Sequence, residues 1–156
     1  AMQAGLQMAR AEAVRRNTPV RFQLVTAVDN TCAVSASGPY WAVNVGTAVS
    51  PAGGCGNQVN DTVSPFLVQL SPAGSSAKSV AVRAVGNAVI GFNGLGRQVA
   101  IGGTGPQTVS IALSSSGGDC VLGGGKVRCL TILVSTAGDA RLCDPARQAA
   151  GDPMKC

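Results

Sequence analysis

Histidine is absent from this chain of 156 residues. That removes the usual general base, the physiological-pH switch and the commonest metal ligand at once. No Cys-x-x-Cys occurs either, so six cysteines with no metal-ligand spacing point away from zinc and toward disulfides. Aromatic residues make up 3% and charged residues 12%, while 46% of the chain is apolar. Disorder needs the opposite balance. No apolar run reaches the roughly eighteen residues that would cross a bilayer, and Ala1-Met2-Gln3 opens no hydrophobic leader. A disulfide-bearing chain without an export signal predicts that the natural N-terminus has been removed.

The apolar residues that are present are mostly Val and Ala, and β-branched Val favours pleated sheet. Net charge is +5 with a pI near 9.2, ordinary for solubility and compatible with anionic contacts. A length of 156 residues suits one well-cored domain.

Residues 2–17 read as the one helix: Leu6, Ala9 and Ala13 recur at helical spacing, with Arg10, Glu12, Arg15 and Arg16 elsewhere on the cylinder as a solvated face. Asn17-Thr18-Pro19 ends it, because the residue before proline is driven out of the α region. Beyond Pro19 the period becomes two. Val20, Phe22 and Leu24 alternate with Arg21 and Gln23, and Trp41, Val43 and Val45 follow. Further strands are expected at 63–70, 79–85, 88–92, 99–101, 109–113, 126–135 and 139–143. Breaker clusters such as Ser71-Pro72-Ala73-Gly74 and 102–106 separate them. One helix feeding many antiparallel strands is an α+β architecture. Tyr40 and Trp41 read as rim and core.

The cysteines at 32, 55, 120, 129, 143 and 156 allow three bridges. Cys120 and Cys129 lie symmetrically about Gly124-Gly125, and Cys129 and Cys143 about Thr136, so two sets stay open. The first is Cys32–Cys55, Cys120–Cys129 and Cys143–Cys156. The second keeps Cys32–Cys55 and pairs Cys129–Cys143 with Cys120–Cys156.

Catalytic motifs are missing. The seven acids are scattered, several in Asp-Pro and Gly-Asp turn contexts, and Ser114-Ser115-Ser116 has no nucleophile elbow. Gly94-Leu95-Gly96 lacks the third glycine of a dinucleotide fingerprint. Gly123-Gly124-Gly125-Lys126 is followed by Val127 rather than Ser or Thr, and Asn60-Asp61-Thr62 is a chance-level sequon. No enzyme, cofactor or metal is expected. The basic tail is the functional candidate: Arg141, Arg147 and Lys155 fall within one turn-rich, bridged segment, with Lys126 and Arg128 on the preceding strand. Guanidinium groups held on a constrained loop suit phosphates, so these five are the candidate DNA contacts, weak and salt-sensitive.

Leu6 through Val20 resembles the "L-x-x-A-R-x-E-A-x-x-R-x-x-x-V" stretch that opens the soluble domain of GspH/FimT-type minor pilins and pseudopilins. Phe92 to Arg97 is similar to that family's "F-x-x-x-G-R" turn. The ending from Cys129 through Cys143-Asp144-Pro145 to Cys156 is similar to its FimT/FimU branch. Some relatives bind DNA through a "G-R-x-R" segment, against which Gly138-Asp139-Ala140-Arg141 keeps only Gly138 and Arg141. The resemblance implies a pilin-like fold. Residues 1–18 would end a longer helix and residues 19–156 would form a β-rich head with a disulfide-stapled C-terminal loop. It implies a tip-complex subunit that primes type IV pilus assembly, with roles in twitching, adhesion or DNA uptake. Its partners would be other minor pilins and the major pilin. The full-length form would be anchored in the bacterial inner membrane and periplasm, then displayed at the extracellular pilus tip. The alternatives are a GspH-like pseudopilin of type II secretion and a DNA receptor of a competence pilus.

Overall fold

The computed structural model describes residues 1–73 and 79–156; Gly74 of the predicted breaker cluster lies outside the described residues. Helix α1 spans Met2–Arg16 and stops where Asn17 turns left-handed at φ 49°, its N–H and that of Thr18 returning to the carbonyls of Val14 and Ala13. Such an αL residue satisfies carbonyls that the last turn leaves unpaired. Arg15 and Arg16 occupy that last turn, where cations suit the negative end of the helix dipole.

Among the described residues nine strands follow: β1 Val20–Val25, β2 Tyr40–Val45, β3 Leu67–Leu70, β4 Val80–Val85, β5 Val89–Phe92, β6 Gln98–Val99, β7 Val109–Ser115, β8 Leu130–Val134 and β9 Ala140–Cys143. They form two antiparallel sheets, ordered β3-β2-β1-β5-β6 and β4-β7-β8-β9. This is the α+β architecture the sequence predicts.

The core lies where α1 meets both sheets. Leu6, Ala9 and Ala13 of the helix, Phe22 and Leu24 of β1, Phe92 of β5, Ile111 of β7 and Ile132 of β8 are all buried there. Phe22 stacks on Trp41 at a centroid distance of 5.9 Å. Gly5 is required at its position, since a Cβ would come within 2.8 Å of the Trp41 ring. No described helix is long and apolar enough to cross a membrane.

Several strands are shorter than their apolar runs. Residues 63–66 form a turn, with Pro65 lacking a ladder donor and Phe66 at φ 60°, so β3 starts only at Leu67. Residues 126–129 stay outside β8 because Cys129 is bridged to Cys120 and the chain between them closes on itself, Val127 donating to Asp119. Lys126 and Arg128 therefore sit on a loop rather than on the predicted strand. The 99–101 run gives only Gln98–Val99, with Ile101 turning back to bond Thr104.

The largest difference concerns β1. Period two places Arg21 and Gln23 toward water, yet every residue of β1 is buried. The segment between β2 and β3 folds over this second face, pinned by Cys32–Cys55 and by side-chain bonds. Arg21 donates to the Thr47 carbonyl, the Asn44 amide donates to the carbonyls of Val49 and Pro65, and the Ser50 hydroxyl donates to the Gln23 oxygen. Burial lowers the Arg21 pKa from its ordinary value.

Candidate functional site

The C-terminal segment is built from two repeated devices. At Asp144 the carboxylate accepts from the Ala146 N–H at 3.0 Å, and at Asp152 from the Met154 N–H at 2.8 Å. These are the side-chain turns that Asp before Pro favours. The tail then runs back beside the end of β9, the Asp144 N–H donating to the Met154 carbonyl at 2.7 Å. Cys143–Cys156 closes the loop with a Cα separation of 5.1 Å. Cys32–Cys55 and Cys120–Cys129 complete the first of the two bridge sets open from sequence.

The five predicted cations divide into two groups. Arg128 donates to Asp144 at 2.8 Å, and Arg147 lies 3.9 Å from the same oxygen while bonding Asp152 at 3.0 Å. Asp144 is 3% exposed, and its pKa is held below the ordinary value chiefly by Arg128. The Asp152 pKa is lowered as well, first by the Met154 N–H and then by Arg147. Arg128 and Arg147 thus neutralise the tail's own acids. Arg141 instead donates to the Lys155 carbonyl at 3.1 Å, which brings these two residues together and leaves the guanidinium charge uncompensated. Among the described residues, no carboxylate pairs with Arg141, Lys155 or Lys126. Lys126 stands apart on the loop closed by Cys120–Cys129.

The motif residues converge at a second place, the C-terminal half of α1. Arg10 donates from Nε to the Gly96 carbonyl at 2.9 Å and from Nη1 to Asp139 at 2.7 Å. Gly96 belongs to the β5–β6 turn and Asp139 to the β8–β9 turn, so one arginine ties both sheets to the helix. The turns touch directly: a Cβ on Gly138 would collide with the Gly96 carbonyl, and one on Gly94 with Asn17. Glu12 is gripped by Arg15 and Arg16, and Arg16 also reaches Asp61 at 2.5 Å. The Glu12 pKa is pulled down to about 2, first by Arg15 and then by Arg16. Of the predicted solvated face, Arg15, its side chain 63% exposed, stays in solvent and bonds Glu12 of its own helix, whereas Arg10 and Arg16 in fact form a strap to other elements. Sequence reasoning missed it because Arg10 and Asp139 stand 129 positions apart and only the fold brings them together.

Neither place assembles a nucleophile with a base. Among the described residues, no group of three His, Cys, Asp or Glu side chains could hold a metal ion. What the arrangement offers is rigid surface with a sorted distribution of charge.

The family model described as Type II transport protein GspH matches residues 1–138. The matched stretch contains the whole helix strap except Asp139, and stops short of the disulfide-bound tail. A comparison with curated proteins finds no match. Among solved structures the chain is similar to the type IV minor pilin FimU of Pseudomonas aeruginosa in two crystal forms. One aligns with a TM-score of 0.58 at 16% identity, covering 96% of this chain and 87% of that one. The other aligns with a TM-score of 0.56 at 17% identity, covering 96% and 92%. Fold, strap and family match agree, and the chain belongs to the GspH family.

Proposed function

We propose that this chain is a minor pilin, a subunit that primes and joins a type IV pilus through protein contacts rather than through chemistry. The observation that carries the reading is the fold shared with the minor pilin FimU over nearly the full length of both chains. The physical logic is consistent. Three disulfides and a helix strapped to both sheets make a head that keeps its shape outside the cell, and its surface offers turns and cations rather than a reaction centre. In this reading α1 continues a longer apolar helix that holds the subunit in the inner membrane before assembly and packs in the filament afterwards. The neighbours are other minor pilins and the major pilin, and the final location is the extracellular pilus tip, where twitching and adhesion are exercised.

Deleting the gene in its host tests this. Loss of surface filaments and of twitching, restored by the full-length gene, is the expected outcome. Intact filaments with failed enzyme secretion would instead assign the chain to a type II secretion pseudopilus, the reading that the name of the matching family favours.

A second reading, DNA capture by the tail, draws on Arg141, Lys155 and Lys126, with which no carboxylate pairs among the described residues. Arg128 and Arg147 add nothing to it while Asp144 and Asp152 hold them. A gel shift with duplex DNA over a salt series, repeated with Arg141→Gln and Lys155→Gln, decides it. A shift lost in the variants and at high salt supports capture. No shift at low salt leaves the assembly role alone.

A further inference from the structure

The ion pairs are sorted by region. Glu12, Asp61, Asp139, Asp144 and Asp152, five of the chain's seven acids, are each tied to an arginine. The net charge of +5 therefore resides on cations outside those pairs. Two of them, Arg83 and Arg141, lie on one surface. In the β4-β7-β8-β9 sheet, Arg83 pairs with Ala112, which pairs with Thr131. One row along, Val85 pairs with Ser110, Ser110 with Leu133 and Leu133 with Arg141. Directly paired residues, and residues two apart on one strand, share a face. The core-facing set is Val82, Ile111 and Ile132, so the Arg83 and Arg141 set faces away from the core.

That outward face is a trough. Its floor, on the two inner strands, is Ser110, Ala112, Thr131 and Leu133, none longer than leucine. Its walls are Arg83 on one edge strand and, on the other, Arg141 beside buried Cys143, which stands opposite Thr131 and is bridged to Cys156, with exposed Lys155 held against Arg141. Three inter-strand steps separate the walls by roughly 14 Å, enough for one extended or helical segment between them. No side-chain carboxylate stands on the floor or the walls, and Val85, 59% exposed, adds an apolar contact beside Arg83.

We propose that this trough is the docking surface for an acidic segment of a different pilin subunit, one with carboxylates flanking a small apolar centre. This rests on the pilin reading and names the partner's chemistry. Charge selects the partner: uncompensated arginines at both walls call for acids opposite, and like charges would repel. A second copy of this chain does not qualify, because five of its seven acids are already engaged by its own arginines, and the other two, Asp29 and Asp119, lie far apart in the chain and do not flank one segment. Nucleic acid fits less well, since the floor has no aromatic side chain to stack on a base and presents apolar groups at its centre.

The test places p-benzoylphenylalanine at position 112 of the full-length chain in its host and irradiates assembled filaments. The expected product is a crosslink to a different pilin, at a peptide carrying at least two Asp or Glu residues. Its yield should fall about tenfold in the Arg83→Glu, Arg141→Glu double variant. Circular dichroism checks that the double variant remains folded. If it does not, raising salt from about 0.05 to 0.5 M on the unreversed protein must lower the yield instead. Crosslinks to a second copy, to DNA, or to a segment without acids overturn the proposal, as does normal filament formation with no crosslink. Filaments unaffected by deletion of the whole gene would instead remove the pilin reading itself, a separable result.

Discussion

The two sheets are made of similar residues and treat water differently. In the five-stranded sheet, β1 is buried along its whole length: α1 covers one face, and the segment pinned by Cys32–Cys55 covers the other. In the four-stranded sheet, β7 begins with buried Val109, half-buried Ser110, buried Ile111 and exposed Ala112, the alternation of a sheet with one wet face. Charge follows the same division. Arg10, Arg15 and Arg16 of the helix each have an acid; on the outer face of the second sheet Arg83 and Arg141 have none among the described residues. The first sheet is thus a scaffold whose side chains are spent on holding the molecule together, and the second keeps a free surface. In a subunit that works by contact, the free surface is the one to probe.

The sharpest way to break that contrast is to cut into each sheet separately. Phe22→Ala removes a fully buried ring stacked on Trp41 and should cost about 3–5 kcal/mol. Leu133→Ala, on the outward face of β8, should cost less than about 1 kcal/mol. Urea unfolding of both variants measures the pair. Equal losses would mean that the second sheet's outer face is not a free surface.

A smaller effect is expected at the joint between the sheets. Gly138 has φ +90°, and a Cβ there would strike the Gly96 carbonyl. Gly138→Ala therefore combines an unfavourable left-handed backbone with a steric clash, and about 1–3 kcal/mol should be lost. Hydrogen exchange should show loosening in the 93–97 and 135–139 turns before either sheet opens. Unchanged protection there would mean that the turns do not couple the sheets.

Much of the scaffold was legible in advance, because it is written in local signals. Leu6, Ala9 and Ala13 at helical spacing, and Asn17 before Thr18-Pro19, place α1 to within a residue. Alternating Val20, Phe22 and Leu24 mark a strand. What stayed hidden depends on long-range pairing. Nothing near Arg21 announces that residues beyond β2 will fold over it, so alternation misplaces its side chain. Arg83 looks like any polar strand residue until the register puts it in the same face as Arg141. The tail cations were visible as a cluster, but only geometry shows that Arg128 and Arg147 are committed to Asp144 and Asp152.

The smallest expected effect separates the two regions by pH. Glu12 is largely covered, with its side chain 20% exposed, and both of its oxygens are taken by Arg15 and Arg16. Its pKa in the folded protein is about 2, whereas an unfolded glutamate titrates near ~4.3. The folded value is depressed, so the stabilisation is complete above the unfolded value. It fades as the pH falls from about 5 toward 2, because the unfolded chain takes up the proton first. Partial exposure and screening reduce the contribution to about 1 kcal/mol. Glu12→Gln should therefore lower stability at pH 7 and flatten the acid limb of the stability–pH curve, as read by urea midpoints at intervals across that range. Arg141→Gln should leave the limb unchanged, because among the described residues Arg141 engages a carbonyl and no carboxylate. An acid limb that responded to Arg141 and ignored Glu12 would reverse the assignment of paired charge to the helix strap and unpaired charge to the open face.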